Sequence, residues 1–420
     1  VSVVGNVERG PLRIAFVTTS GINPVFKNWP EYILARALVA RGHQVTIYKY
    51  EPAGSPAREV IDGIEVRQVA RGRGGVALDL PRLLRSEPRP DVVNIFHIRN
   101  LIAFEAARVF RNWGVPIVHT PVGPLHDDYL VADRDAPIAA PPLYDNPIYT
   151  APQLLRRILR ERRPRRVLRN YLIHSPLRRA DRLIAISNHE RETLIRMGLP
   201  AARIATIPLW IDVAHAATLP QEPAELDLPR PLLLYVGQLK YRKGFDILAH
   251  AMPIVRARYP SASFVFVGHS PRQQAALEAI VRENGTADAL HLLGRPDPAE
   301  LHRLYRAADA LVFPSRYEGF GLPPLEAMSA GCPVITTDVP VVNESVRDGE
   351  NGLLAPYDDP QGLADAILRL LGDPTLRDHL IAGGYTTLSE RFNGEVLVEQ
   401  IIEVYRGVMQ SRQSAVGSRQ

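Results

Sequence analysis

Two glutamates eight positions apart, Glu318 and Glu326, lie in a segment whose composition suits the binding of hydroxyl groups. It reads Pro314-Ser315-Arg316-Tyr317-Glu318-Gly319-Phe320-Gly321-Leu322-Pro323-Pro324-Leu325-Glu326-Ala327. The apolar residues before it predict a buried strand that ends at Pro314. A glycine-bearing loop follows, then a short helix opened by Pro323-Pro324 and closed by Gly331. Such a loop brings backbone N–H groups to the carboxyl end of a strand, where open α/β sheets hold phosphates or rings of hydroxyls. With Glu318 on the loop and Glu326 one to two turns into the helix, the two carboxylates can accept hydrogen bonds from two separate sets of hydroxyls. The plainer alternative is that Glu318 caps the turn and Glu326 pairs with a nearby cation. Spacing alone leaves both open.

A second segment, Val236-Gly237-Gln238-Leu239-Lys240-Tyr241-Arg242-Lys243-Gly244-Phe245-Asp246, repeats the plan of strand, glycine and loop entering a helix. Here the loop is cationic. Lys243, Arg242 and the helix N-terminus would concentrate positive potential on a diphosphate. The order required of a Walker loop is absent, and a solvated basic turn is the alternative. Gly72-Arg73-Gly74-Gly75 reads as a flexible loop, and no Cys/His cluster supports zinc.

The elements that must carry these loops alternate between strand and helix along the whole chain. Apolar runs at 12–19, 45–50, 64–69, 92–95, 115–120 and 182–187 predict buried parallel strands. Asn28 is placed to cap a helix with Pro30 in its first turn, and Gly42 to end it. Residues 212–230, rich in Pro, Ala and Glu, read as a linker. The rhythm then restarts with strands at 232–236, 263–268, 290–293, 310–314, 333–337 and 352–355. Helices are expected near 245–258, 271–284, 298–308, 323–330 and 360–371, with a last one at about 394–410. This is an α/β chain of two Rossmann-like domains. Residues 127–150 read as a long loop, and Pro164 divides 152–180 into two helices.

The 420 residues are 46% apolar and 23% charged, which excludes a disordered or fibrous chain. No apolar run approaches the roughly 18 residues of a membrane-spanning helix. The single cysteine, Cys332, excludes an internal disulfide. These features predict a soluble protein of the cytoplasm. Charge is divided unevenly: 31 Lys and Arg against 19 Asp and Glu through residue 210, and 19 against 26 beyond it. Much of the surplus lies in Arg156, Arg157, Arg160, Arg162, Arg163, Arg165, Arg166 and Arg169, which flank a stripe of leucines. That is the composition of a helix lying on an anionic membrane surface, here the inner face of the cell membrane. A solvated arm packed on its own domain is the alternative. Nucleic acid is not expected as a partner, because no nucleic-acid-binding motif accompanies the charge.

Together the two loop motifs resemble the retaining glycosyltransferases of GT-B architecture, specifically family four (glycosyl transferases group 1). Glu318-x7-Glu326, with Ala330-Gly331-Cys332-Pro333-Val334-Ile335 downstream and LHRLYRAADALVFP at 301–314 upstream, carries the likeness over nearly all of 232–371. Gly42-His43-Gln44-Val45 and the stretch from Ile184-Ala185-Ile186-Ser187 to Asp212 carry a weaker one. The resemblance implies that Glu326 holds the ribose of a nucleotide-sugar donor and Glu318 a hydroxyl of its sugar. The amides of Gly319, Phe320, Gly321 and Leu322 would lie near sugar and phosphate, and Lys243 would neutralise the departing diphosphate. Gly21 matches a glycine of the family's first-domain turn. Gln238 stands where many members have arginine, with Arg242 as the candidate replacement. The family's active-site histidine aligns with Val122. His119 and His126 lie on either side, and each is a candidate for that role. Asp133-Arg134-Asp135 has the form of a metal-binding D-x-D of another glycosyltransferase architecture but lacks its preceding strand.

The resemblance thus predicts a retaining, metal-independent glycosyltransferase, with the hexosyl group of a nucleotide-diphosphate sugar moved to a hydroxyl acceptor (glycan, lipid-linked or small molecule). Because departing phosphate and acceptor meet on one face in this family, Glu318 is not expected to be a covalent nucleophile. Residues 1–211 would form the acceptor-side domain and 212–389 the donor domain. The final helix, about 390–410, would return to the first domain, and 411–420 would be a disordered tail. The competing readings are a GT-B epimerase or phosphorylase, or a non-catalytic membrane- or nucleic-acid-binding protein using the Arg-rich arm.

Overall fold

The structure, a computed structural model, describes residues 10–19, 29–50, 57–71, 79–98, 101–122, 148–160 and 164–417. Gly21, Asn28, His126, Gly72-Arg73-Gly74-Gly75 and Asp133-Arg134-Asp135 lie outside the described residues, as does most of the long loop expected at 127–150.

Two sheets organise the chain. The first contains β1 (Arg13–Val17), β2 (Gln44–Tyr50), β3 (Arg58–Ile61), β4 (Ile64–Val69), β5 (Val92–Phe96), β6 (Ile117–Thr120), β7 (Arg182–Ala185) and β8 (Ile204–Thr206). Their order is β3-β4-β2-β1-β5-β6-β7-β8, parallel except where β3 turns back against β4. The second contains β9 (Leu232–Val236), β10 (Ser263–Val267), β11 (Leu290–Leu292), β12 (Ala310–Phe313), β13 (Val334–Thr337) and β14 (Leu353–Ala355). It is wholly parallel, in the order β11-β10-β9-β12-β13-β14. Central strands such as β5, β9 and β10 are buried at every position, because helices cover both faces of a parallel sheet. The strand order reverses at β1/β5 in the first sheet and at β9/β12 in the second. The carboxyl ends of those pairs open the crevices in which such sheets bind ligands.

Every strand expected from the sequence forms, and two more appear. β3 and β4 are joined by Asp62-Gly63, both at positive φ (49° and 79°), a hairpin turn whose Asp-Gly signal the sequence reading passed over. β8 is three residues long, too short for periodicity to reveal. The first helix, Pro30–Ala40, starts after Trp29, whose side chain makes no capping hydrogen bond. It ends as expected at Gly42, with φ +83° and its N–H on the Val39 carbonyl. The expected linker holds a short helix, Val213–Thr218, capped by Asp212. Its remainder is tied to the second domain, the Ala224 N–H reaching the Arg303 carbonyl at 2.9 Å. A helix at Pro374–Glu390 was not foreseen.

The last helix, Gly394–Gly417, returns to the first domain. Tyr405 is fully buried there and accepts a 2.8 Å hydrogen bond from the Asn94 side chain on β5. The helix runs seven residues past the expected start of a disordered tail. Arg412 explains this, since its guanidinium grips the Asp181 carboxylate with three hydrogen bonds of 2.9–3.1 Å. A second tie joins the domains near the cleft: Glu344 accepts the backbone N–H groups of Asn188 and His189 at 2.8 and 2.9 Å.

Candidate active site

The two loop motifs meet. Lys243 follows β9 and Glu318 follows β12. Because those strands are neighbours, residues 75 positions apart come together with Nζ 2.5 Å from Oε1. Ser315 donates its hydroxyl to the same carboxylate oxygen at 2.6 Å, so Glu318 does cap its turn while also holding a cation. Burial pushes the Lys243 ammonium down to about 8 against the pull of Glu318, with Arg242 and Lys240 adding to the depression. Below that pH the lysine is charged.

The backbone of the two loops is as close as their side chains. Gly244 has φ +70°, and a Cβ there would lie 1.8 Å from the Pro314 carbonyl oxygen. Arg316 supplies the clamp. Its guanidinium, almost wholly buried, meets both oxygens of Asp246 at 2.8 Å and Asp358 at 2.6 and 2.9 Å, and reaches the Tyr241 carbonyl at 2.5 Å. All five of its N–H groups are used. Burial alone would lower its affinity for the proton, but the hydrogen bonds and charges of Asp246 and Asp358 raise it instead. Removing one partner of such a buried pair costs about 3–5 kcal/mol. Sequence reading assigned Arg316, Asp246 and Asp358 no role, because nothing local links them.

Beyond Glu318 the loop runs through Gly319 to Leu322 into the helix Pro323–Ser329. Its first two residues are prolines, which have no N–H, so amide donors must come from the loop itself. Phe320 is buried edge-on against Phe392, and Gly321 takes φ +88° with the Phe313 ring beneath it. Glu326, on the first turn of that helix, accepts the Tyr305 hydroxyl at 2.9 Å. It opens on a cleft between the domains lined by Tyr32, Ile33, Arg36, Asp212 and Tyr305. Gln238 is exposed at the end of β9, and Arg242 is half-buried beside Tyr317.

Of the two candidate histidines, only His119 is among the described residues. His119 lies inside β6, fully buried, with neither ring nitrogen hydrogen-bonded among the described residues. Burial pushes it down to about 3, so it stays neutral and sealed from the cleft. The structure instead brings forward His97, which sequence reading missed. It follows β5 directly, with Nε2 2.6 Å from the Glu31 carboxylate and Nδ1 3.3 Å from the Val122 carbonyl. Glu31 also accepts the Thr18 hydroxyl at 2.8 Å. Desolvation works against a charged His97, but Coulombic attraction to Glu31 and the hydrogen bond that its carboxylate accepts raise the ring's proton affinity, and the same partnership lowers Glu31 against its own burial.

Two Rossmann-like domains, the second bringing a lysine and a glutamate together where two strand-end loops meet, define a GT-B glycosyltransferase architecture. A family model described as Glycosyl transferases group 1 matches residues 230–373, and one described as Glycosyltransferase Family 4 matches residues 32–215. The chain belongs to this glycosyltransferase family. It is 29% identical over 417 residues to the D-inositol 3-phosphate glycosyltransferase of Acidothermus cellulolyticus, covering 92% of this chain and 86% of that one. It is 28% identical over 399 residues to the glycogen synthase of Mycobacterium tuberculosis, covering 89% and 88%. In fold it is similar to sucrose-phosphate synthase from Thermosynechococcus elongatus (TM-score 0.70, 23% identity, 95% of this chain and 99% of that one). Anabaena HepE in complex with UDP-glucose is comparable (TM-score 0.69, 17% identity, 94% and 100%).

The loop contact at Gly244 can be tested against a control. Gly285 has a similar φ of +75° with nothing within 4 Å of its virtual Cβ. Gly285→Ala should therefore cost only the left-handed strain of about 1–2 kcal/mol. Gly244→Ala should cost clearly more, because the methyl also collides with the Pro314 backbone. Urea midpoints at unchanged slope measure both; equal losses would refute the contact.

Proposed function

We propose that this glycosyltransferase transfers a hexosyl group from a nucleotide-diphosphate sugar to a hydroxyl acceptor, with retention and without a metal ion. The observation that carries the reading is the Lys243–Glu318 pair, which places a buried cation beside a carboxylate where two switch-point loops meet. Glu326 would hold the ribose and Glu318 a sugar hydroxyl. Amides of Gly319–Leu322 would face sugar and phosphate. The anomeric C–O bond to phosphate breaks as the bond to the acceptor oxygen forms on the same face, and the acceptor proton passes to the departing phosphate oxygen. Positive charge develops on the sugar ring and negative charge on the diphosphate. Lys243 and Arg242 stabilise that negative charge, and a donor phosphate would draw Lys243 away from Glu318. Closure of the cleft would exclude water. The inositol phosphate in one relative's name, and the UDP-glucose bound to HepE, support a phosphorylated donor and a hydroxyl acceptor.

The Arg-rich arm is the part of the molecule suited to a lipid-linked acceptor. In the helix Ala151–Arg160 no residue is buried, and Leu155 and Leu159 are 60% and 77% exposed among its arginines. The following helix, Pro164–Arg179, instead packs Val167, Ile173 and Leu177 inward. The first helix thus presents apolar and cationic groups together, as a peripheral contact with an anionic membrane face requires. No helix among the described residues is long and apolar enough to cross a membrane.

Five measurements test these readings. Glu326→Ala should weaken donor binding by about 1–3 kcal/mol, the loss of hydrogen bonds to a charged group; unchanged calorimetric affinity would remove Glu326 from the ribose. Lys243→Met should lower turnover more than donor affinity, because its charge matters most as the diphosphate leaves. In the wild type, kcat/KM should fall as pH rises through about 8, where the free lysine loses its proton. Turnover should also be the same with and without a chelator. For the arm, wild type should sediment with anionic but not neutral vesicles at low salt. High salt, or Arg156, Arg157 and Arg160 changed to Gln, should release it, each basic residue contributing about 1 kcal/mol. Indifference to anionic vesicles would leave the arm without a membrane role.

A further inference from the structure

His97 and Glu31 occupy the switch point of the first sheet. Thr18 lies just beyond β1 and His97 just beyond β5, and both reach the same oxygen of Glu31 on the first turn of Pro30–Ala40. The other oxygen, Oε2, is buried and has no hydrogen-bond partner among the described residues. A carboxylate with no exposure is stable only beside a compensating charge. His97 is the group in hydrogen-bond contact with it that can carry such a charge.

The geometry also settles how many protons the pair holds. The Val122 carbonyl can only accept, so Nδ1 carries a hydrogen. The 2.6 Å contact at Nε2 holds a second proton between ring and carboxylate. The Thr18 hydroxyl, donating to that same carboxylate oxygen, favours the ionised form of Glu31 and leaves the proton on the ring. The backbone is constrained to hold this arrangement. His97 has φ +60° and Val122 φ +45°, left-handed conformations that non-glycine residues, and valine above all, adopt at a cost. His97 keeps 21% of its side chain exposed while Glu31 has none. The partner with solvent access is therefore the histidine, at the carboxyl end of β5 beside the switch point.

On the opposite domain the charge of Lys243 is already shared with Glu318, and Gln238 has none. We propose that His97, held as an imidazolium by Glu31, is a positioning residue that supplies the first domain's fixed positive charge to a phosphate group in the cleft. This rests on the phosphorylated donor argued above. The phosphate is that of the donor's diphosphate or of a phosphorylated acceptor. The groups facing His97 are Thr18 beyond β1, Glu31 on the first helix, His119 and Val122 at β6, and Glu190 on the helix Asn188–Arg196. Of these, Glu31 and Glu190 raise its proton affinity, and neutral His119 contributes no charge.

Full-length wild type, His97→Gln and Glu31→Gln would be compared by calorimetry with a nucleoside, its diphosphate, and an inositol phosphate added to protein saturated with the diphosphate. His97→Gln should weaken one phosphate-bearing ligand about tenfold while leaving the nucleoside unchanged. Which ligand responds identifies the source of the phosphate. Glu31→Gln should bring the His97 titration down into the range of about pH 5.5–7.5, where Lys243 stays charged. Phosphate affinity in that variant should then fall with rising pH relative to wild type and His97→Gln, which share only the titration of the ligand's own phosphate. Proton NMR of the His97 ring follows the same titration without any ligand. A His97 that titrates near 6.5 in wild type, or phosphate affinities equal in wild type and His97→Gln, would overturn the proposal. If the nucleoside diphosphate does not bind wild type at all, the donor reading fails separately, and the ring titration and the inositol phosphate, then added alone, still decide the role of His97.

Discussion

The donor side of this molecule depends on one buried guanidinium. Arg316 satisfies all five of its N–H donors on Asp246, Asp358 and the Tyr241 carbonyl, and so binds three connections that follow β9, β12 and β14. Besides this clamp, the loop carrying Lys243 and the loop carrying Glu318 are joined by the Arg242 carbonyl, which accepts the Arg316 and Tyr317 N–H groups at 2.8 and 3.3 Å, and by the Lys243–Glu318 pair. The site needs them rigid, because a cation and a carboxylate 2.5 Å apart are useful only if an arriving ligand competes against a fixed geometry. Burial makes the clamp strong and also commits the chain to it, since Asp246, itself buried, would be left charged without its partner if the arginine were lost.

The first domain solves a related problem with different parts. Its sheet reverses at β1/β5, and there a buried carboxylate, Glu31, is compensated by His97. In the second domain the arginine is enclosed and the lysine beside it is largely buried, with 14% of its side chain exposed. In the first, the carboxylate is enclosed and the imidazolium is half-open. Each domain thus presents a cation to the space between them, backed by a carboxylate, which suits a ligand whose charge is negative and increases during reaction.

Connections between the domains set how these two cations face each other. The final helix buries Tyr405 against Asn94 and ties Arg412 to Asp181, so the chain's last element stabilises the first domain. Glu344 spans the other side by accepting the first two amides of the helix Asn188–Arg196. Those amides are the helix's unsatisfied donors, and a carboxylate from the opposite domain is a natural partner for them.

Read alone, the amino-acid sequence determined the alternation of strands and helices, the two loop motifs and the family. Each of these is written in residues close together, as apolar runs, glycines and prolines at fixed offsets. Pro164 dividing the arm and Gly42 ending the first helix were legible for the same reason. Short or turn-dependent features were lost: β8 has too few residues to show a period, and Arg412 extends the last helix through a partner 231 positions away. Only the tertiary structure decided that Lys243 pairs with Glu318, that Arg316 is a clamp, and that His97 rather than His119 stands at the crevice. Those outcomes follow from strand order, which sets β9 beside β12 and β1 beside β5. They follow also from burial, which seals one histidine inside β6 and leaves another at a strand end beside a carboxylate that keeps it charged.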